Sequence, residues 1–349
     1  MRFLYTEFIF MPARNCLRLH STLLLLACIL TSWKTMAVPI ADKNGWPDSS
    51  LQLNPFKPTD PISDPIVRSD TSSCVIPFTR AGNLILIKAH IDTLVGNFIL
   101  DTGAPNLILN ITYFRDYATT QHHDELQTGS TGTEAAINRT LIKQFSLGTI
   151  HYSRVESDLI NLGHLENSKG VKILGLIGVN LFKQCELIID YEKSVIYLHH
   201  IKRKESATYK NEQLKDESTY NTIPFDLRDN KIITFSEMAG KKLRFVVDCG
   251  AETNLLDSRL PDKIFEQVEI SGRTLLLGTG NKKVEAITGI LKGLQIANQE
   301  IAPLPIIITN MEKTCFSLNG CADGVLGYEF LSLQKIGFNF VTRKMYIWK

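Results

Sequence analysis

The sequence lacks several features that would settle its class quickly. Neither sign of charge is in excess: 38 Lys and Arg stand against 36 Asp and Glu, a net +2. That balance gives no argument for a nucleic-acid partner or an anionic membrane surface. Gly and Pro are at ordinary levels, 22 and 13, which excludes a collagenous or broadly disordered chain. There is no C-x-x-C pair, so a zinc site on that spacing has no support. The Gly-rich residues 128–133, TGSTGT, do not fit a G-x-S-x-G nucleophile elbow, and no Lys follows where a phosphate loop needs one. No metal or organic cofactor is implied. What remains is a chain of 349 residues, 44% hydrophobic, long enough for two cored domains.

The N-terminus reads as an export signal over residues 1–37. Arg14, Arg18 and His20 precede the apolar run 23–30, and Thr35-Met36-Ala37 offers a small-x-small cleavage site. Met11 is an alternative start. The run falls short of the roughly 20 apolar residues of a transmembrane helix, so no integral span is expected after signal removal. Residues 25–28, LLAC, also resemble a lipoprotein box with Cys28 as the lipidated residue. The expected location is therefore periplasmic or extracellular, soluble or anchored through Cys28. Residues 38–71, rich in Pro, Asp and Ser, read as a leader or linker.

Five cysteines lie beyond the signal, an odd number that leaves at least one thiol unpaired within the chain. Cys315 and Cys321 could close a short loop, and Cys74 could pair with Cys185. The alternative for each is a small buried hydrophobe.

From residue 72 onward a strand-rich pattern occurs twice. Ile76-Pro77-Phe78 returns as Ile223-Pro224-Phe225, and Asp101-Thr102-Gly103-Ala104 as Asp248-Cys249-Gly250-Ala251, both 147 residues on. Leu176-Ile177-Gly178 returns as Val325-Leu326-Gly327, and Tyr197 as Tyr346, both 149 residues on. A short loop insertion would produce that drift. β-branched and aromatic residues dominate the runs, with short helical pieces expected near residues 159–167 and 260–268. The expected organisation is lobe 1 over residues 72–201, a polar linker over 202–221 and lobe 2 over 222–349, all-β throughout.

Residues 98–104, FILDTGA, and 245–251, FVVDCGA, each run a buried strand into a carboxylate on a tight turn. A lone acid there reads as a turn cap. Two equivalent acids in duplicated lobes would instead meet, share one proton, and serve as general acid and base in amide hydrolysis. Each stretch is followed by an apolar-apolar-Gly element, GLIGVN at 175–180 and GVLGYE at 324–329.

These paired motifs resemble the retropepsin-like aspartic proteases, and the two-copy arrangement is similar to tandem-lobe aspartyl proteases of Gram-negative bacteria. The resemblance covers about residues 72–349. It implies two tandem retropepsin-like lobes forming a bilobal, pepsin-like pseudo-dimer within a monomer, acting on a peptide or protein substrate. Asp101 and Asp248 would be the catalytic pair and Thr102 a cross-lobe hydroxyl lock. Gly103 and Gly250 would shape the turns, with Gly178 and Gly327 packing behind them. Gly132 and Gly280 would sit in flap hairpins over the substrate.

Cys249 departs from the family, which has Thr or Ser there. A thiol is a weak donor and acceptor, so the expectation is a lopsided lock. That departure supports the alternative of a weak or inactive module binding peptide or polysaccharide. Two lesser candidates are residues 122–125, HHDE, whose neighbours point to opposite faces of a strand, and the glycosylation sequons at Asn110 and Asn138.

Overall fold

The computed structural model describes residues 64–68, 71–128, 134–277, 283–297, 299–312 and 321–349. In lobe 1 the strands are β1 (Ile66–Arg68), β2 (Ser73–Ala81), β3 (Leu84–Ile91), β4 (Leu94–Leu100), β5 (Leu107–Asn110), β6 (Thr119–Thr128), β7 (Glu134–Leu147), β8 (Ile150–Ile160), β9 (Gly175–Ile177), β10 (Cys185–Asp190) and β11 (Val195–His200). Lobe 2 continues with β12 (Tyr220–Pro224), β13 (Asp226–Arg228), β14 (Lys231–Met238), β15 (Lys241–Val247), β16 (Asn254–Asp257), β17 (Val268–Leu277), β18 (Lys283–Leu291), β19 (Gln295–Ile296), β20 (Gln299–Glu300), β21 (Leu304–Thr309), β22 (Gly324–Leu326), β23 (Ile336–Asn339) and β24 (Lys344–Trp348). The short helices are α1 (Ile111–Phe114), α2 (Gly163–Lys169), α3 (Asp262–Phe265) and α4 (Tyr328–Leu331). The protein is therefore an all-β acid-protease fold with two lobes. Among the described residues no helix is long and apolar enough to cross a membrane.

The two lobes are built alike. In each, an antiparallel hairpin (β3–β4, β14–β15) delivers its second strand to a parallel neighbour (β9, β22). Strands flanked on both sides are apolar on both faces, and the last three residues of β4 and of β15 are all buried. Equivalent strands lie 147 residues apart as far as β5 and β16, and 149 apart from β6 and β17 onward. The change falls in the connection between them. α1 follows β5 directly, whereas Ser258 to Pro261 separate β16 from α3. The helical piece expected near residues 159–167 starts later, at Gly163, because β8 runs on to Ile160.

A six-strand ladder, β12-β24-β23-β10-β11-β2, joins the lobes. Its central pair is β10 with β23, and in that register Ile188 faces Gly337. These positions are themselves 149 residues apart, so equivalent residues meet at the centre of the junction. Gly337 leaves room there, since a Cβ would lie only 3.1 Å from Ile188 Cγ1.

The polar segment between the lobes packs onto this ladder. Glu186, almost fully buried on β10, accepts bonds from Tyr209 Oη (3.1 Å), Asn211 Nδ2 (2.9 Å) and Asn339 Nδ2 (3.1 Å). Tyr209 also stacks on His199 at 4.0 Å between ring centroids. A buried carboxylate needs such partners, and the segment supplies them. Within the stretch read as leader, Ile66–Arg68 pair with β8.

Candidate active site

Asp101 and Asp248 stand at the ends of β4 and β15, each held by its parallel neighbour. The Asp101 N–H donates to the Ile177 carbonyl (3.1 Å) and the Asp248 N–H to Leu326 (2.9 Å). The strand carrying the apolar-apolar-Gly element thus fixes where each turn begins. Gly178 and Gly327 then pass so close to the turn that a Cβ on either would collide with backbone oxygens. Those are Asn106 and Ala104 in lobe 1, and Thr253 and Ala251 in lobe 2. Only glycine fits.

The two turns interlock. The Gly103 N–H lies 2.9 Å from Asp101 Oδ1 and 3.0 Å from Asp248 Oδ1, so one donor bridges both carboxylates. Ala104 N–H adds a second bond to Asp101 Oδ1 (3.0 Å), and Gly250 N–H one to Asp248 Oδ1 (2.8 Å). A Cβ on Gly103 would run into the Asp248 carboxylate, and one on Gly250 into that of Asp101. Each glycine makes room for the opposite lobe's acid.

Beneath the acids, Thr102 and Cys249 cross-link the lobes. Thr102 Oγ1 donates to the Val247 carbonyl and accepts from the Cys249 N–H, both at 2.9 Å. Cys249 Sγ donates to the Leu100 carbonyl at 3.3 Å and accepts from the Thr102 N–H at 3.4 Å. The thiol makes both bonds of its arm, at distances ordinary for sulfur's larger radius, so the lock is complete in geometry while its sulfur arm remains the weaker one. Both side chains are almost wholly buried. Burial pushes the Cys249 thiol far above its usual range, with the neighbouring Asp248 and Asp101 charges adding to the rise. It is therefore a neutral donor rather than a nucleophile.

Burial also raises both carboxyls above their ordinary range. Asp101 rises further, driven by the Asp248 charge and a carboxyl–carboxyl hydrogen bond. For Asp248 the Gly250 N–H, the bond from Asp101, the Gly103 N–H and the Lys231 charge all oppose the rise. Two buried carboxyls that share one N–H donor cannot both ionise cheaply, so both are pushed towards the protonated form and titrate as a pair.

The structure thus brings together Asp101, Thr102, Gly103, Asp248, Cys249 and Gly250, with Gly178 and Gly327 against the turns. Gly132 and Gly280 lie outside the described residues, although the strands leading to them pair as hairpins, β6 with β7 and β17 with β18. The side chains of residues 122–125 are likewise outside them. Asn110 is wholly buried as the N-cap of α1, which removes it as a glycosylation acceptor. Cys74 and Cys185 carry free thiols, so their pairing is not made. Cys321 is disulfide-bonded, and Cys315 lies outside the described residues.

Sequence reasoning missed three supports of the site. Glu252, next after the lobe 2 turn, is gripped by lobe 1. Lys169 pairs with its carboxylate, Asn83 N–H reaches it at 3.3 Å, and Asn83 Nδ2 donates to its carbonyl at 3.0 Å. Arg80 donates to Tyr328 Oη at 2.5 Å, again across the lobes. In lobe 1, buried Asp158 takes Arg139 Nε at 3.0 Å and Asn106 Nδ2 at 3.2 Å, tying the turn to β7. None had a local sequence signal: even Arg139 and Asp158, directly opposed on adjacent strands, lie 19 residues apart in the sequence.

No curated protein matches the chain. The sequence model of a family described as aspartyl protease matches residues 236–330. That span runs from within β14 to within α4 and contains Asp248, Cys249, Gly250 and Gly327. In its second lobe, therefore, the chain is similar to the aspartyl proteases, in the segment that carries one of the two facing carboxylates.

Proposed function

We propose that the chain is an exported aspartic endopeptidase of two tandem, retropepsin-like lobes, working as a monomer on extended peptide or protein segments. The observation that carries this reading is the shared Gly103 N–H between Asp101 and Asp248, which holds two carboxyls from two lobes in one proton-sharing pair. A single retained proton divides the roles. Ionised Asp248 takes a proton from a water as its oxygen attacks the peptide carbonyl carbon. Protonated Asp101 gives its proton to the carbonyl oxygen, forming a tetrahedral diol. Asp248 then gives its proton to the peptide nitrogen while ionised Asp101 takes one from a diol hydroxyl, so the C–N bond breaks, an amine and a carboxylic acid leave, and the pair is restored. Substrate would lie in the cleft between lobes, paired by backbone bonds in the manner of an added strand. Residues 1–37 would direct export and be removed.

The case for a non-catalytic binding module rested on Cys249. It weakens once the thiol makes both bonds of the lock. The test is hydrolysis of an unstructured protein by the purified mature chain from about pH 3 to about pH 8, with and without a statine-type transition-state inhibitor. Cleavage that the inhibitor stops supports the reading. A folded chain that cleaves nothing across the range rejects it.

A further inference from the structure

The two ends of the dyad differ in one charge. In the β3–β4 hairpin Leu86 pairs with Ile99, and continuing that register by two residues sets Leu84 opposite Asp101. In β14–β15 Ile233 pairs with Val246, and the same continuation sets Lys231 opposite Asp248. Leu84 and Lys231 are thus equivalent positions. Leu84 is buried in an apolar cluster with Leu86, Ile99 and Ala104. Two residues along from Lys231, Ile233 packs in the corresponding cluster with Val246 and Ala251. Lys231 itself is half-buried, and its ammonium makes no ion pair or side-chain hydrogen bond among the described residues.

The surroundings differ in the same sense. Beside Leu84, Asn83 and Lys169 hold Glu252 of the opposite lobe, so every charge there is matched. The residue equivalent to Glu252 in lobe 1 is Pro105, which offers Lys231 no carboxylate. A half-buried ammonium with no carboxylate in direct contact is costly and favours one when it arrives.

Resting on the peptidase reading, we infer that Lys231 is a specificity-determining residue that selects a peptide carrying a carboxylate side chain on one side only of the scissile bond. Its place opposite Asp248 sets its charge beside the dyad, where it works against the burial that raises that carboxyl. A substrate carboxylate would therefore sit within a few residues of the reacting carbonyl. The Leu84 side would take apolar or neutral groups.

The experiment compares matched peptides carrying Glu or Gln at each position flanking the cleaved bond, at a pH where Glu is ionised, for the wild-type chain and for Lys231→Leu, which copies Leu84. The expected result is a Glu-over-Gln preference in kcat/KM of about fivefold, the size of a partly screened ion pair, confined to one side and falling to about one in Lys231→Leu. Absence of any such preference, or its persistence in Lys231→Leu, overturns the inference. Equilibrium binding of the same peptides to Asp101→Asn separates the two readings, because it needs no turnover. Glu-selective binding that Lys231→Leu abolishes, without cleavage by wild type, keeps the carboxylate site and rejects the peptidase. Equal binding of both peptides rejects the site.

Discussion

Thr102 and Cys249 hold each other's strands through four hydrogen bonds. The hydroxyl and the thiol each donate to a carbonyl of the opposite lobe, and each accepts the other's N–H. Replacing Cys249 by Val keeps a similar volume but strands the Leu100 carbonyl and the Thr102 N–H in a buried site. Each stranded group costs about 1–3 kcal/mol, so Cys249→Val should lower the denaturation midpoint clearly. Cys249→Thr should be neutral or gain up to about 1 kcal/mol, because a hydroxyl makes the same bonds more strongly. Paired urea denaturation curves check both.

Gly178 and Gly327 should tolerate no side chain. An added Cβ would meet backbone oxygens, which cannot rotate away as a side chain can. Gly178→Ala and Gly327→Ala should each destabilise by about 1–3 kcal/mol, and activity should fall because the displaced atoms belong to the turns. An unchanged melting temperature in either variant would contradict this packing.

The acids give stability a pH dependence with a definite sign. Both are raised above the ordinary carboxylate value of 3.8, chiefly by burial, so the folded pair retains a proton at pH values where the unfolded chain has released it. Their stabilising contribution is complete below about pH 3.8 and is lost as pH rises through the raised native values. Asp101→Asn carries no such proton. The thermal midpoint of the variant should therefore gain on that of the wild type as pH rises from about 4 towards neutrality. Parallel melts across that interval measure it.

The fold class was legible because both determinants are local. β-rich runs and acids at strand ends are written in contiguous residues, and FILDTGA and FVVDCGA needed only each other to become a site. The cross-lobe supports were not legible. Asn83, Lys169 and Glu252 are polar residues scattered over the sequence, and only the docking of the lobes makes them neighbours. The role of Cys249 was legible only in part, for a related reason. The strength of a thiol bond was weighed, but the geometry that lets sulfur reach both Leu100 and Thr102 follows from the interlocked turns. The linker was judged by its lack of periodicity. Its order comes from Tyr209 and Asn211 meeting a buried Glu186.

The central claim is that Asp101 and Asp248 form one working site. The most direct measurement is peptide cleavage by the wild-type chain beside Asp101→Asn and Asp248→Asn, with folding of all three verified by far-ultraviolet circular dichroism. The account predicts that each substitution lowers kcat by about a thousandfold or more while the fold persists. Wild-type rates from either folded variant would contradict it.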